Sequence, residues 1–229
     1  MQKESSDWQG SEMRLRNVKY AKELIHSYPD YVILKPKHHQ GQWQALFDNN
    51  QPIKVEIGCG KGKFIYESAY HHPKTNFIGI EKYDSVIVRA LEKLILEPLD
   101  NIKLLRLDAT HILDVFEKNE VDHLFLNFSD PWPKRRHAKR RLTSPRFLKK
   151  YGQILKDGAF IEMKTDNYPL FEYSMMMFNH HEQYEIKALS LNLYQALPKS
   201  NIQTEFEMKF VKENKPIYYI KVKHKRSGE

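Results

Sequence analysis

The feature that constrains this chain most is a glycine turn, Glu56-Ile-Gly58-Cys-Gly60-Lys-Gly62, set directly behind the run Ile53-Lys-Val-Glu-Ile57. Glycines at alternate positions let a backbone turn sharply and approach a ligand closely. The run before them reads as a strand, and the residues from about Lys63 to Tyr70 read as a helix. This strand–turn–helix unit then repeats. Asn76 to Ile80 is strand-like and ends at Glu81, and Asp84 is placed to cap a helix reaching about Leu96. Ile102 to Leu107 ends at Asp108, and Ile112 to Phe116 is helical. His123 to Phe128 is an apolar strand ending at Ser129-Asp130. Ser144 with Pro145 opens a helix to about Leu155. Ala159 to Met163 reads as a buried strand before a helix over Pro169 to Phe178, and Glu185 to Leu191 and Ile217 to Val222 as late strands. Before the turn, Val18 to His26 suggests a short helix, Tyr31 to Pro36 an extended stretch and Trp43 to Phe47 a helical turn. Strand and helix alternate along most of the chain, which is the pattern of an α/β, doubly wound, mostly parallel sheet.

In such sheets ligands bind beyond the carboxyl ends of the strands. Glu56, Glu81, Asp108 and Asp130 fall at or near four successive strand ends. That pattern supports a site without naming it, because strands must stop being apolar somewhere.

Charge is distributed unevenly. The chain carries a formal +8, and between Pro131 and Lys156 there are ten Lys or Arg residues and no acid, so the remainder is close to neutral. A block unbalanced in sign points to a polyanion, nucleic acid first. No apolar run approaches the ~20 residues of a membrane span, so no membrane role is expected. Residues 1–12 are polar and read as a flexible start, with residues 13–229 as one domain. A single cysteine, Cys59, rules out an internal disulfide framework and suits a reducing cytoplasm. It reads as a small filler, with no His nearby in sequence to activate it.

The turn is no triphosphate P-loop, which needs G-x-x-x-x-G-K-[ST]. A dinucleotide fingerprint requires a third glycine at position 63, where Lys63 stands, so a nicotinamide-dependent oxidoreductase is disfavoured. A strand followed by E-x-G-x-G-x-G resembles motif I of the class I S-adenosylmethionine methyltransferases. That resemblance implies a Rossmann-like fold with a seven-stranded sheet and helices on both faces. It also implies that Gly58, Gly60 and Gly62 pass beneath the methionine moiety, that Glu81 grips the ribose, and that Asp108 and Ala109 flank the adenine.

The run Asn127-Phe-Ser-Asp130-Pro-Trp-Pro-Lys134-Arg-Arg-His-Ala-Lys-Arg-Arg141-Leu142 is more specific still. With Val55 to Gly62, Lys164-Thr-Asp166-Asn167 and Thr204-Glu-Phe-Glu207 followed by Lys209-Phe210, it resembles the bacterial tRNA (guanine-N7-)-methyltransferase family from about residue 53 to 221. The resemblance implies methyl transfer from S-adenosylmethionine to guanosine 46 of the tRNA variable loop. It assigns Glu56, Glu81, Asp108 and Asp130 to the cofactor, with Asp130 also catalytic. It assigns Lys134, Asp166, Thr204, Glu205, Phe206 and Glu207 to substrate, and Arg136, His137, Ala138, Lys139, Arg140 and Arg141 to the RNA-contacting loop. No metal is implied, and the family includes both monomers and homodimers. Cys59 stands where Thr is frequent, and Phe206 where Tyr is frequent.

Chemistry can be argued beside the resemblance. Guanine N7 carries a lone pair and no proton, so its methylation needs no general base. The guanine edge left free offers N1–H and N2–H₂ donors, which call for acceptors such as Asp166, Glu205 and Glu207, while Lys134 suits a phosphate or O6. Trp132 is either a base-stacking residue or a packed loop anchor. The His pairs at 38–39, 71–72 and 180–181 lack metal-ligand spacing and read as surface residues, and Met175 to Met177 as helix core. Arg14 and Arg16 offer weak evidence of RNA contact. A class I methyltransferase for another substrate, or an inactive RNA-binding relative, are the rival readings.

Overall fold

A computed structural model describes residues 20–196 and 201–226. The expected flexible start, and with it Arg14 and Arg16, lies outside the described residues. Seven strands form one sheet: β1 (Ile53–Ile57), β2 (Asn76–Glu81), β3 (Ile102–Arg106), β4 (Val121–Asn127), β5 (Leu155–Thr165), β6 (Tyr184–Ser190) and β7 (Tyr218–His224). Their order is β3-β2-β1-β4-β5-β7-β6. The first five run parallel, and β7 is antiparallel to both β5 and β6. The chain leaves β1 toward β3, then returns to β4 on the other side of β1. The β1/β4 boundary is therefore the switch point where such sheets open a crevice.

The helices are α1 (Ala21–Ser27), α2 (Trp43–Leu46), α3 (Lys63–His71), α4 (Asp84–Leu96), α5 (Pro145–Ile154), α6 (Tyr168–Asn179), α7 (Leu193–Ala196) and α8 (Glu205–Lys212). Helix α4 shows why they form: Ile87, Val88, Ala90, Leu91 and Leu94 make one buried stripe at helical spacing. It packs with Ile65, Phe77 and Leu104 in one core, while the face of the sheet carrying Val55, Leu124, Ile161 and Ile220 packs with Leu148, Tyr151 and Phe171 in the other.

Several boundaries differ from the sequence expectation. Tyr83, not Asp84, occupies the N-cap of α4. The Glu81 carboxylate accepts the amides of Lys82 (2.7 Å) and Tyr83 (3.1 Å), which closes the turn into the helix. Asp84 is left to pair with Arg106 at 2.7 Å. Ser144 stands at the N-cap of α5, yet its hydroxyl donates to the Lys139 carbonyl at 3.2 Å rather than capping. Of the expected extended stretch, Val32 makes a parallel bridge to Leu104, and Pro36–His39 is a 3-10 turn. Met176 is exposed rather than core.

The main correction concerns β4 and β5, which the sequence suggested were apolar throughout. Their side chains alternate. Lys54, His123, Phe125, Glu162, Lys164 and Lys221 share one face through the registers Lys54↔His123, Phe125↔Glu162 and Glu162↔Lys221. Helices α3 and α4 pack mainly on β2 and β3 on that side, with Phe64 of α3 edge-on to Phe125, so much of the face beyond β1 stays polar. Glu162 is its centre, 3.2 Å from His123, 3.0 Å from Lys221 and accepting the Tyr219 hydroxyl at 2.9 Å.

Gly62 joins the glycine turn to α3 with φ +82°, and a Cβ there would lie 2.5 Å from the Ala90 Cβ. Gly62→Ala is expected to destabilise the fold by about 2 kcal/mol or more, combining left-handed strain with overpacking. A denaturant midpoint unchanged from wild type would contradict this packing.

Candidate active site

The parallel register brings the ends of the strands to one edge. Ile57 pairs with Ile80, Glu81 with Arg106, and Asn127 with Lys164. Glu56, Glu81, Asp108, Asp130 and Asp166 therefore stand on or just past the carboxyl ends of β1 to β5. The amides of Gly58 and Cys59 both donate to the Ile80 carbonyl, at 2.8 and 3.0 Å, which pins the glycine turn onto β2. The Gly60 amide donates to the Glu81 carboxylate at 3.2 Å. Gly58 and Gly60 have φ of +78° and +59°, and a Cβ built on either meets nothing within 4 Å. Open space thus lies over the turn where a ligand would approach the backbone. Cys59 is buried beneath, and burial pushes its thiol well above the ordinary range, as suits a filler rather than a nucleophile.

The acids are tuned differently. Glu56 is buried, and desolvation pushes its carboxyl up to about 8 despite a 2.9 Å hydrogen bond from the Asn127 amide. Its second oxygen has no partner. Desolvation also raises Glu81, against its three backbone donors, and the nearby charge of Asp130 adds to the shift. Burial alone would raise Asp108. Hydrogen bonds from Lys82 and from the amide and hydroxyl of Thr110 outweigh it and hold Asp108 well below the carboxylate range. Ala109 follows at the start of a 3-10 turn. Asp166, half-buried, is raised by desolvation. A buried orphan carboxylate oxygen, open glycine backbone and a second carboxylate in reach fit a ligand with cationic and hydroxyl groups.

Asp130 itself is exposed. It is bracketed by two aromatic residues in left-handed backbone, Phe128 (φ +49°) and Trp132 (φ +42°). Such strain in bulky residues persists only where surroundings enforce it. Arg141 does so here, donating to the carbonyls of Pro131 (3.0 Å) and Trp132 (3.2 Å) while its guanidinium lies 4.3 Å from the Tyr173 ring centre. Arg141 is therefore turned toward the loop root, unlike the rest of the basic run. Lys134, at the N-cap of the 3-10 helix Arg135–Arg140, and Arg136, Lys139 and Arg140 within it are exposed, with His137 and Ala138 half-buried. Among the described residues none of these four cations forms an ion pair. Trp132 packs under Arg140 and edge-on to His137, the loop-anchor reading rather than an open stacking face.

Across the opening, Lys61 of the glycine turn reaches Glu205 at 4.0 Å. Phe206 is exposed and, with Phe210, lies against Phe128 with ring centres 6.3 and 5.8 Å away. Thr204 caps α8 in a capping box with Glu207, and both are buried. The structure thus sets Glu205 beside Lys61 of the glycine turn and Phe206 against Phe128, two residues before Asp130, and turns Thr204 and Glu207 inward. Sequence reasoning gave no role to Asn127, Lys164, Lys82 or Phe210. Asn127, Lys164 and Phe210 stood inside the quoted motifs, while Lys82 carried no signal beyond residue type.

A protein family described as "Putative methyltransferase" matches residues 50–220. A tRNA (guanine-N(7)-)-methyltransferase of Geobacillus sp. (strain WCH70) is 46% identical over 220 residues, covering 94% of this chain and all of that protein. One from Bacillus cytotoxicus is 46% identical over 213 residues, covering 93% of this chain and 98% of that protein. The chain belongs to the tRNA (guanine-N7-)-methyltransferase family. Solved structures agree on the fold: the 16S rRNA methyltransferase KamB superposes with a TM-score of 0.63 at 12% identity, over 81% of this chain and 93% of that one. An antibiotic-related methyltransferase gives 0.59 at 17% identity, over 80% and 92%. The sheet is thus the Rossmann-like sheet of class I methyltransferases, and in this family member the glycine turn sits at its switch point.

Because Glu56 binds its proton more tightly folded (about 8) than unfolded (ordinarily 4.5), the folded state loses stability as pH rises between those values. Glu56→Gln is expected to flatten that decline. Identical pH–stability curves for the two proteins would show that Glu56 is not desolvated as described.

Proposed function

We propose that this chain transfers the methyl group of S-adenosylmethionine to N7 of a guanine in tRNA, with guanosine 46 of the variable loop as its target, acting in the cytoplasm. The observation that carries the reading is the glycine turn with open space above it, set beside the strand-end acids Glu81 and Asp130 and followed by an exposed loop whose cations have no acid partner among the described residues. Family membership supports it independently.

In this reading Gly58, Gly60 and Gly62 lie beneath the methionine moiety, Glu56 faces its cationic end, Glu81 accepts the ribose hydroxyls, and Asp108 with Ala109 borders the adenine. When bound, the cofactor supplies an electrophilic methyl on a sulfonium. Since N7 has no proton to lose, the residues at the mouth have two tasks, orientation and charge stabilisation. Orientation of two reactants can supply up to ~7–11 kcal/mol of barrier lowering. Asp166 and Glu205 accept from the N1–H and N2–H₂ edge of the extruded base, Phe206 covers it, and Lys134 meets a phosphate or O6. Positive charge develops on the purine as the bond forms, and the Asp130 carboxylate stabilises it. Arg136, His137, Ala138, Lys139 and Arg140 track the RNA backbone, while Arg141 acts by holding the loop that carries Asp130. The assembly is a monomer or a homodimer.

The test incubates the protein with labelled S-adenosylmethionine and unmodified tRNA, then maps the label by cleavage specific for N7-methylguanosine. Label at position 46 supports the reading, and label on another base or none at all contradicts it. Asp130→Ala is expected to lower turnover by ~10²–10³-fold with tRNA binding within a few-fold of wild type, measured in single-turnover assays; near-normal turnover would remove Asp130 from its role. Replacing Arg136, Lys139 and Arg140 together by Ala is expected to reduce the log–log salt slope of tRNA binding by roughly 2, and an unchanged slope would place the RNA elsewhere.

A further inference from the structure

Helix α8 is attached in an unusual way. Its one buried side chain is a carboxylate, Glu207, while Phe206 and Met208 are exposed. Apart from the contacts of Phe206 and Phe210 with Phe128, the side chain that anchors this helix is polar. Both oxygens of Glu207 are taken by the protein. One accepts the Tyr194 hydroxyl and the Asn201 amide, each at 2.6 Å. The other accepts the Thr204 backbone amide at 3.2 Å and the Lys164 ammonium at 3.0 Å. Lys164, only 5% exposed, also donates to the Ile202 carbonyl at 2.9 Å and to the Asn201 side-chain oxygen. All three donor bonds of one ammonium group thus end on residues 201–207, and its backbone belongs to β5, two residues before Asp166.

A cavity of about 550 Å³ borders Lys164, Leu193, Asn201 and Ile202. Burying a charge pair is costly, and removing one partner leaves the other charge desolvated and uncompensated. The arrangement therefore favours a single placement of α8.

We propose that Lys164 is a positioning residue. Through its buried pair with Glu207 it sets Glu205 beside Lys61 of the glycine turn and Phe206 against Phe128, two residues before Asp130, and Glu207 acts as the inner half of this clamp rather than as an acceptor for the base. The proposal rests on the methyltransferase reading only for its kinetic readout, since the clamp itself is a statement about where α8 sits.

The test compares Lys164→Met, Glu207→Gln and the double variant in steady-state kinetics with tRNA, and follows amide hydrogen exchange in residues 205–212. Each single variant is expected to raise KM for tRNA about tenfold or more, with a smaller change in kcat. The double variant should be no worse than about twofold beyond the worse single one, because the two residues act as one unit. Exchange in α8 should quicken in all three. Multiplicative effects, or a raised KM for Glu207→Gln with none for Lys164→Met, would mean that Glu207 reads the base itself and would overturn the proposal.

Tyr194→Phe covers the case in which the buried variants do not fold. It deletes one hydroxyl bond to Glu207 at a partly exposed position, and should raise KM about threefold and quicken exchange in α8. Unchanged KM and unchanged exchange would contradict the clamp. Wild-type protein that leaves tRNA unmethylated would sink the functional reading instead, and the exchange measurements would still decide the placement of α8.

Discussion

The carbonyl of Ile80 accepts the amides of both Gly58 and Cys59, and the layout of the site depends on that pair of bonds. Two consecutive amides reach one acceptor only if the backbone reverses at Gly58 in left-handed conformation, which a side chain would oppose. With the turn pinned to β2, Glu81 meets the Gly60 amide, α3 starts against Ala90 of α4, and open space is left over the loop. A parallel sheet supplies the remaining condition. Because β1, β2, β4 and β5 point the same way, each contributes its terminal acid to the same edge. An antiparallel neighbour at β4 would have sent Asp130 to the far side of the molecule.

Gathering carboxylates at one edge has an electrostatic cost, and the structure meets it in three ways. Glu81 is held by backbone donors, Asp108 by Lys82 and Thr110, and Glu56 by retaining its proton. Lys164, at the same end of the sheet, is committed to Glu207. The cations able to meet a polyanion lie outside this cluster, on the loop from Lys134 to Arg140. Acids thus stand at the strand ends while cations unpaired among the described residues stand on the loop after β4. In the proposed reading such a division would let one base approach the carboxylates while the RNA backbone stays on the basic loop.

Much of this was legible in the sequence, because the decisive signals are local. Glycines at alternate positions behind an apolar run fixed the first turn, and the spacing of Ile87, Leu91 and Leu94 fixed α4. Acids at the ends of successive strands marked the edge where the site lies. What could not be read depends on contacts far apart in the chain. Glu207 looks like a free acceptor in the run Thr204 to Glu207, and only the fold brings Lys164 to it from forty-three residues away. Arg141 looks like one more cation in a basic run until the loop folds back and offers it two carbonyls. The polar half-face of the sheet was a different kind of miss. The alternation of His123, Phe125 and Asn127, and of Glu162 and Lys164, was present, but their apolar neighbours at Leu124, Leu126, Ile161 and Met163 suggested strands buried on both faces.

The most direct measurement is a crystal structure with S-adenosylhomocysteine bound. The account predicts the ribose hydroxyls within hydrogen-bonding distance of the Glu81 carboxylate, and the amino-acid portion over Gly58 and Gly60 beside Glu56. Density for the ligand on the polar half-face of the sheet, in the cavity lined by Lys54, Phe125 and Lys221, with the glycine turn untouched, would contradict it.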